Sequence, residues 1–116
     1  QLKQVLLSLT NNAIEQISQR IEENTLTPSQ GNIKYGLYLK DNFIKISVSD
    51  NAGGIKKGAK NKIFKAYFST KKEKGGSGIG LYMAKTIIEK NFYGELYVKN
   101  KKYGAKFYVE IPTNKI

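Results

Sequence analysis

The chain contains no cysteine and no histidine, and Arg20 is its single arginine. Without cysteine there is no disulfide, no thiolate metal ligand and no thiol nucleophile. Without histidine there is no imidazole base, no Ser–His or Cys–His nucleophile pair and no imidazole ligand. A metal held here must be a hard ion on oxygen ligands, such as magnesium. Acidic residues are also few, with 9 Asp and Glu against 20 Lys and Arg and a net charge of +11. The excess is almost all lysine, whereas readers of nucleic acid and phosphate enrich arginine for its bidentate fork. The charge permits an anionic ligand or partner and speeds encounter with one. No apolar run approaches the roughly 18 residues of a membrane span, and no signal peptide is visible.

What remains is ordinary for a globular domain. The 116 residues are 40% hydrophobic and 25% charged. That length predicts one domain over 1–116 with one core, in a compartment compatible with the cytosol and with no direct membrane insertion.

Leu2, Val5, Leu6, Leu9, Ala13, Ile17 and Ile21 recur every three or four residues and predict an amphipathic helix of about five turns. No capping residue precedes it, which suggests a fragment of a longer chain. Ser8, Asn12 and Glu15 form a polar ridge beside the stripe. Asn12 lies at the stripe's edge, as either a boundary amide bonding locally or an oxygen ligand aimed into a cleft. Asn24 to Asn32 reads as a loop. Ile33, Tyr35, Leu37 and Leu39 alternate with polar or small neighbours, and Ile44, Ile46 and Val48 do the same beyond the turn pair Asp41-Asn42. The two strands predict an antiparallel hairpin.

Asp50-Asn51-Ala52-Gly53-Gly54-Ile55 follows at the end of the second strand. It is at least a turn. The paired glycines would also let the backbone approach a flat ring closely, and Asp50 could accept a hydrogen bond from an exocyclic amine. Ile63 to Phe68 is apolar and aromatic. A charged stretch bearing Lys71 and Lys72 then leads into four glycines within Gly75 to Leu81, and it resembles a lid. A helix of about three turns follows, marked by Leu81, Ala84, Ile87 and Ile88. A strand from Gly94 to Lys99, a turn, and a strand through Phe107, Val109 and Ile111 complete the chain. Pro112 closes the last strand. The pattern predicts an α+β fold, an antiparallel or mixed sheet with helices on one face, its aromatic-rich other face partly exposed.

A glycine-rich turn that opens a helix suits phosphate, because free N–H groups and the helix dipole favour anions there. Two common phosphate loops are excluded. A P-loop requires Lys then Ser or Thr after its last glycine, but Leu81 and Tyr82 follow Gly80. A dinucleotide fingerprint requires a glycine where Leu81 stands and a hydrophobic strand before it, where the chain has Lys-Lys-Glu-Lys. A protein-kinase glycine loop lies between strands, whereas this one opens a helix.

Together, four segments resemble the ATP-binding catalytic domain of bacterial sensor histidine kinases. These belong to the Bergerat-fold superfamily, shared with DNA gyrase, the MutL mismatch-repair proteins and a heat-shock chaperone. Gln4 to Gln16 resembles the N-box, Asp50 to Ile55 the G1 box, Ile63 to Lys71 the F-box and Gly75 to Lys85 the G2 box. Tyr103 to Pro112 resembles the closing strand. The resemblance implies a two-layer α/β sandwich with a mixed, mostly antiparallel sheet. It implies ATP and Mg2+ as ligands, with Asn12 coordinating the metal and Asp50 bonding the adenine amino group. Gly54 would give the ring room, and Gly76, Gly78 and Gly80 would wrap the phosphates. Lys71 would approach the terminal phosphate, while Ile55, Ile63 and Leu81 would line the adenine pocket. A lid would run from about Lys56 to Ser77.

Departures from the pattern bear on mechanism. Ser8 stands where the family often has a second asparagine and where ATP-hydrolysing relatives place glutamate, and a serine cannot be that base at neutral pH. Ala66 replaces the F-box proline, and Ala105 stands where relatives often have threonine near the adenine. Glu15 takes a position that is basic in some subfamilies. The resemblance therefore implies phosphoryl transfer to a histidine on a separate dimerisation domain of the same full-length chain, with a response-regulator receiver next in line. This domain has no histidine to accept the group itself. The resemblance places it on the cytoplasmic side of a membrane-anchored sensor and expects no nucleic-acid partner. The alternatives are an anti-sigma-factor-type serine kinase of the same fold and, from another class, a basic nucleic-acid-binding module.

Overall fold

The computed structural model of the chain describes residues 1–55, 58–60, 62–66 and 79–116. Helix α1 spans Leu2–Glu22 and buries Val5, Leu9 and Ala13, which share one face because every fourth residue returns to it. At the loop that follows, Thr27 and Gln30 cap a short 3-10 turn over Pro28–Gln30 reciprocally.

Strand β1, Ile33–Lys40, and strand β2, Phe43–Asp50, form the expected hairpin, with Lys40 opposite Phe43 and Ile33 opposite Asp50. Asp41 makes the turn with a left-handed φ of 53°, which an aspartate tolerates. Helix α2 covers Gly80–Asn91. Strand β3, Glu95–Asn100, and strand β4, Ala105–Pro112, follow. The sheet order is β1-β2-β4-β3, and all three pairings are antiparallel. Of the two sheet types that the pattern allowed, the described strands adopt the antiparallel one.

Period-two alternation separates the faces of the sheet. Val48, Leu96, Val98, Phe107, Val109 and Ile111 pack with Val5 and Leu9 of α1 and Ala84 and Ile88 of α2 in one core. Each fully buried Leu, Ile or Val contributes about 1.5–3 kcal/mol relative to exposure. Both helices lie on this face, giving two layers. The opposite face carries Lys45, Tyr97, Lys99, Lys106, Tyr108 and Glu110 at the alternate register positions. No helix among the described residues is long and apolar enough to cross a membrane.

Candidate functional site

The loop leaving β2 is built around Asp50. Its Oδ1 accepts from the Ala52 N–H at 2.9 Å and from the Ala105 N–H at 3.5 Å. The carboxylate is thereby oriented by its own turn and by the first residue of β4. Gly104 is required for this approach, since a Cβ there would strike the Asp50 carbonyl oxygen. Asn51 ties the loop to the opposite side of the hairpin: its Oδ1 accepts from Asn32 N–H at 2.9 Å and its Nδ2 donates to the Gln30 carbonyl at 2.7 Å.

Gly53 and Gly54 both have left-handed backbones, with φ of 87° and 80°, a conformation that glycine adopts without steric cost. The surroundings are as restrictive as the backbone. A Cβ on Gly53 would meet the Arg20 guanidinium at 2.5 Å, and one on Gly54 would meet Asn100 Oδ1 at 2.9 Å. The sequence suits these glycines to the approach of a ligand; the structure shows them admitting two bracing side chains. Arg20 Nε donates to the Ala52 carbonyl at 2.8 Å from the end of α1. Asn100, at the end of β3, accepts from Ile55 N–H at 2.8 Å and donates to its carbonyl at 3.1 Å. The Gly53 N–H donates to the Tyr103 carbonyl at 3.0 Å. Asp50–Ile55 is therefore a braced shelf, held from α1 and from the β3–β4 turn.

Arg20, Asn100 and Gly104 were not among the residues that motif reading selected. The only sequence signal for Arg20 is its singularity. Gly104 falls within the segment that resembles the closing strand, but its residue type there assigns it no role.

Asn12 lies on α1 beside the buried Ala13 and is itself half-buried, as is Ser8 one turn earlier. The Asn12 side chain makes no hydrogen bond among the described residues. No three Asp or Glu residues among those described come together to hold a metal.

Ile55, Ile63 and Leu81, the apolar positions assigned to a pocket wall, are each partly buried against the core. Phe64 joins them, edge-on to Phe107 with centroids 6.0 Å apart. Ala66 is exposed just beyond. Gly80 opens α2, and a Cβ there would meet no atom of the described residues within 4 Å. Lys71, Gly76 and Gly78, and most of the expected lid, lie outside the described residues.

An antiparallel sheet covered by helices on one face, with a glycine pair just after β2, defines the class as a two-layer α+β domain. The chain belongs to the family described as histidine kinase-, DNA gyrase B-, and HSP90-like ATPase, which matches residues 1–115. Among curated proteins it is similar to the sensor protein TdiS of Thauera aromatica, at 34% identity over 97% of this chain and 19% of that protein. It is also similar to the signal transduction histidine-protein kinase AtoS of Escherichia coli, at 35% identity over 97% of this chain and 17% of that protein. Among solved structures, the nucleotide-free catalytic domain of histidine kinase ThkA superposes with a TM-score of 0.78 at 33% identity, covering 97% of this chain and 66% of that one. ThkA in complex with the response regulator TrrA matches with a TM-score of 0.70 at 30% identity, over 97% of this chain and 28% of that one. The chain thus spans about a fifth of the curated relatives named here.

Proposed function

We propose that this domain binds ATP with magnesium and supplies the γ-phosphoryl group to a histidine on a dimerisation domain of a longer sensor kinase, from which a response-regulator receiver accepts it. The observation that carries the reading is the Asp50 carboxylate, fixed at the end of β2 by two backbone N–H groups and lying on a shelf with Gly54 and Ile55. A carboxylate held this way selects a donor such as the adenine amino group, because rotation away would forfeit both bonds.

The other parts fit the same ligand. Asn12 offers an amide oxygen to the metal, which when bound neutralises phosphate charge. Gly80 offers open backbone at a helix N-terminus, where anions are favoured. Lys71, Gly76 and Gly78 complete the phosphate contacts in this proposal, and Ile55, Ile63 and Leu81 form the apolar wall. Phosphoryl transfer demands positioning and charge neutralisation, with little covalent work from the protein. The bond from γ-phosphorus to the β–γ bridging oxygen breaks, a bond to the acceptor imidazole nitrogen forms, and ADP leaves. Ser8, in place of a carboxylate base, leaves water unactivated and directs the group to the partner. The similarity to the histidine kinases AtoS and ThkA, the latter also solved in complex with a response regulator, supports a response-regulator partner, and in this proposal the domain lies on the cytoplasmic side of the membrane.

The direct test is thermal unfolding with ATP, with and without magnesium. A ligand at about 100 times its Kd adds about 2.7 kcal/mol of apparent stability, so the melting temperature rises with Mg-ATP. An unchanged melting temperature, or an equal rise with GTP, removes the assignment of Asp50 as the adenine reader. Transfer of labelled γ-phosphate to a purified histidine-bearing dimerisation domain tests the second half.

A further inference from the structure

The positive charge of the chain is not spread evenly. Helix α1 balances Lys3 and Arg20 against Glu15 and Glu22. The open face of the sheet, away from both helices, presents Lys34, Lys40, Lys45, Lys99 and Lys106 at alternate positions against Glu95 and Glu110.

The centre of this face is more specific than its charge. Tyr97 and Tyr108, directly opposite each other on β3 and β4, stack with centroids 5.1 Å apart and planes 19° apart. The ammonium groups of Lys45, Lys99, Lys101 and Lys106 lie 4.8, 5.8, 5.9 and 5.4 Å from the Tyr108 ring centroid. They come from three separate segments: β2, β3 with its turn, and β4. The ring quadrupole holds each cation, but four like charges converging on one ring repel one another. An anion laid across them relieves that repulsion.

We infer that the open face of the sheet, centred on Tyr108, is a docking surface for an acidic segment of a partner protein. Charge complementarity sets the class of partner, and the details select among anions. A single-stranded nucleic acid needs bare aromatic faces for its bases, yet Tyr108 is only 7% exposed, with Tyr97 stacked against it and ammoniums around it. An anionic bilayer presents an averaged layer of charge and gains nothing from a carboxylate set among the lysines. Glu110 stands there, opposite Lys45. A mixed pattern of this kind is read by fixed carboxylates on a protein chain. Nothing in the inference depends on the nucleotide shelf.

The test is fluorescence anisotropy of a labelled polyglutamate peptide against this chain, with a nonhydrolysable ATP analogue present to fill the nucleotide site. Binding weakens with added salt, and Lys99→Glu with Lys106→Glu weakens it at least about tenfold. Lys3→Glu with Lys90→Glu, equal in net charge but on the helices, changes it less than about twofold. Equal loss in the two pairs overturns the inference, because net charge alone then explains binding. So does tighter binding, through the same lysines, to phosphatidylglycerol vesicles or to an oligothymidylate. If the reversed pair fails to fold, Lys45→Gln with Lys101→Gln asks the same question, and retention of full peptide affinity there also overturns it.

Discussion

Asn100 grips the backbone of Ile55 from both sides, accepting from its N–H at 2.8 Å and donating to its carbonyl at 3.1 Å. The two residues are 45 positions apart in sequence. Asn100 Oδ1 also occupies the space that a side chain at position 54 would need. One amide therefore closes the shelf at its far end, as Arg20 closes it at the near end.

Asn100→Ala removes both bonds at an exposed site. The expected loss is about 1–2 kcal/mol of stability, seen as a melting temperature lower by several degrees. Freed from its clamp, Ile55 moves, and Mg-ATP affinity measured by calorimetry falls with it. Full affinity in a destabilised variant would show that the clamp serves the fold alone.

Arg20→Lys keeps the charge but loses the planar guanidinium that lies over Gly53 and donates through Nε to Ala52. A lysine cannot reproduce that geometry. The expected outcome is weaker nucleotide binding with a melting temperature within a few degrees of the parent. Wild-type affinity in calorimetry would remove Arg20 from the support of the shelf.

Asn12→Ala tests the proposed metal ligand. Alanine is the better helix former by up to about 0.7 kcal/mol, and the Asn12 side chain has no hydrogen bond to lose among the described residues. The nucleotide-free domain should therefore melt at the same temperature or higher. The magnesium-dependent part of ATP affinity and the phosphoryl transfer should be lost. Unchanged affinity in calorimetry sinks the assignment.

Two glycines give opposite expectations. Gly104→Ala forces a methyl group against the Asp50 carbonyl, and overpacking of this kind costs about 1–3 kcal/mol. Gly80→Ala meets none of the described residues within 4 Å and gains about 0.4–1 kcal/mol from the less flexible unfolded chain. If the backbone at Gly80 approaches phosphate, this more stable variant still binds ATP more weakly. Melting curves paired with calorimetry on both variants separate packing from function.

The stacked tyrosines titrate apart. Burial acts to raise the Tyr108 phenol, but its hydrogen bond with Lys101 and the charges of Lys106, Lys101 and Lys99 prevail and place it below the ordinary 10.0. Burial, then a hydrogen bond with Glu110, lifts Tyr97 above that value. Between the folded pKa of Tyr108 and 10.0 the unfolded chain holds the proton that the folded one has released. The Tyr108 contribution to stability therefore grows with pH across that window and is lost as pH falls through the folded value. The Tyr97 contribution is present up to 10.0 and is lost as pH rises through its folded value. Absorbance at the phenolate band should show an early tyrosine phase that Tyr108→Phe removes. An unchanged first phase in that variant contradicts the assignment.

Much of the fold is legible in the chain because it is written locally. The 3.6 period of Val5, Leu9 and Ala13, the alternation through Ile44, Ile46 and Val48, and the turn at Asp41-Asn42 each act over a few residues. Each locates its element to within about two positions. The boxes around Asn12, Asp50 and Gly80 are legible for a related reason, since each resembles a family motif carried by particular residue types at short spacing.

Other features were decided by tertiary structure alone. Strand β4 inserts between β2 and β3, a pairing set by burial across the whole sheet and by no short-range signal. Only that insertion brings Ala105 to Asp50 and Asn100 to Ile55, and only the packing of α1 on the sheet brings Arg20 over Gly53. The same pairing gathers four lysines from three segments around Tyr108, which composition registered merely as surplus charge. Hydrophobic patterning reports which face of an element is buried. Which residues then meet depends on the order and register of the elements, and those settle only when the core closes as a unit.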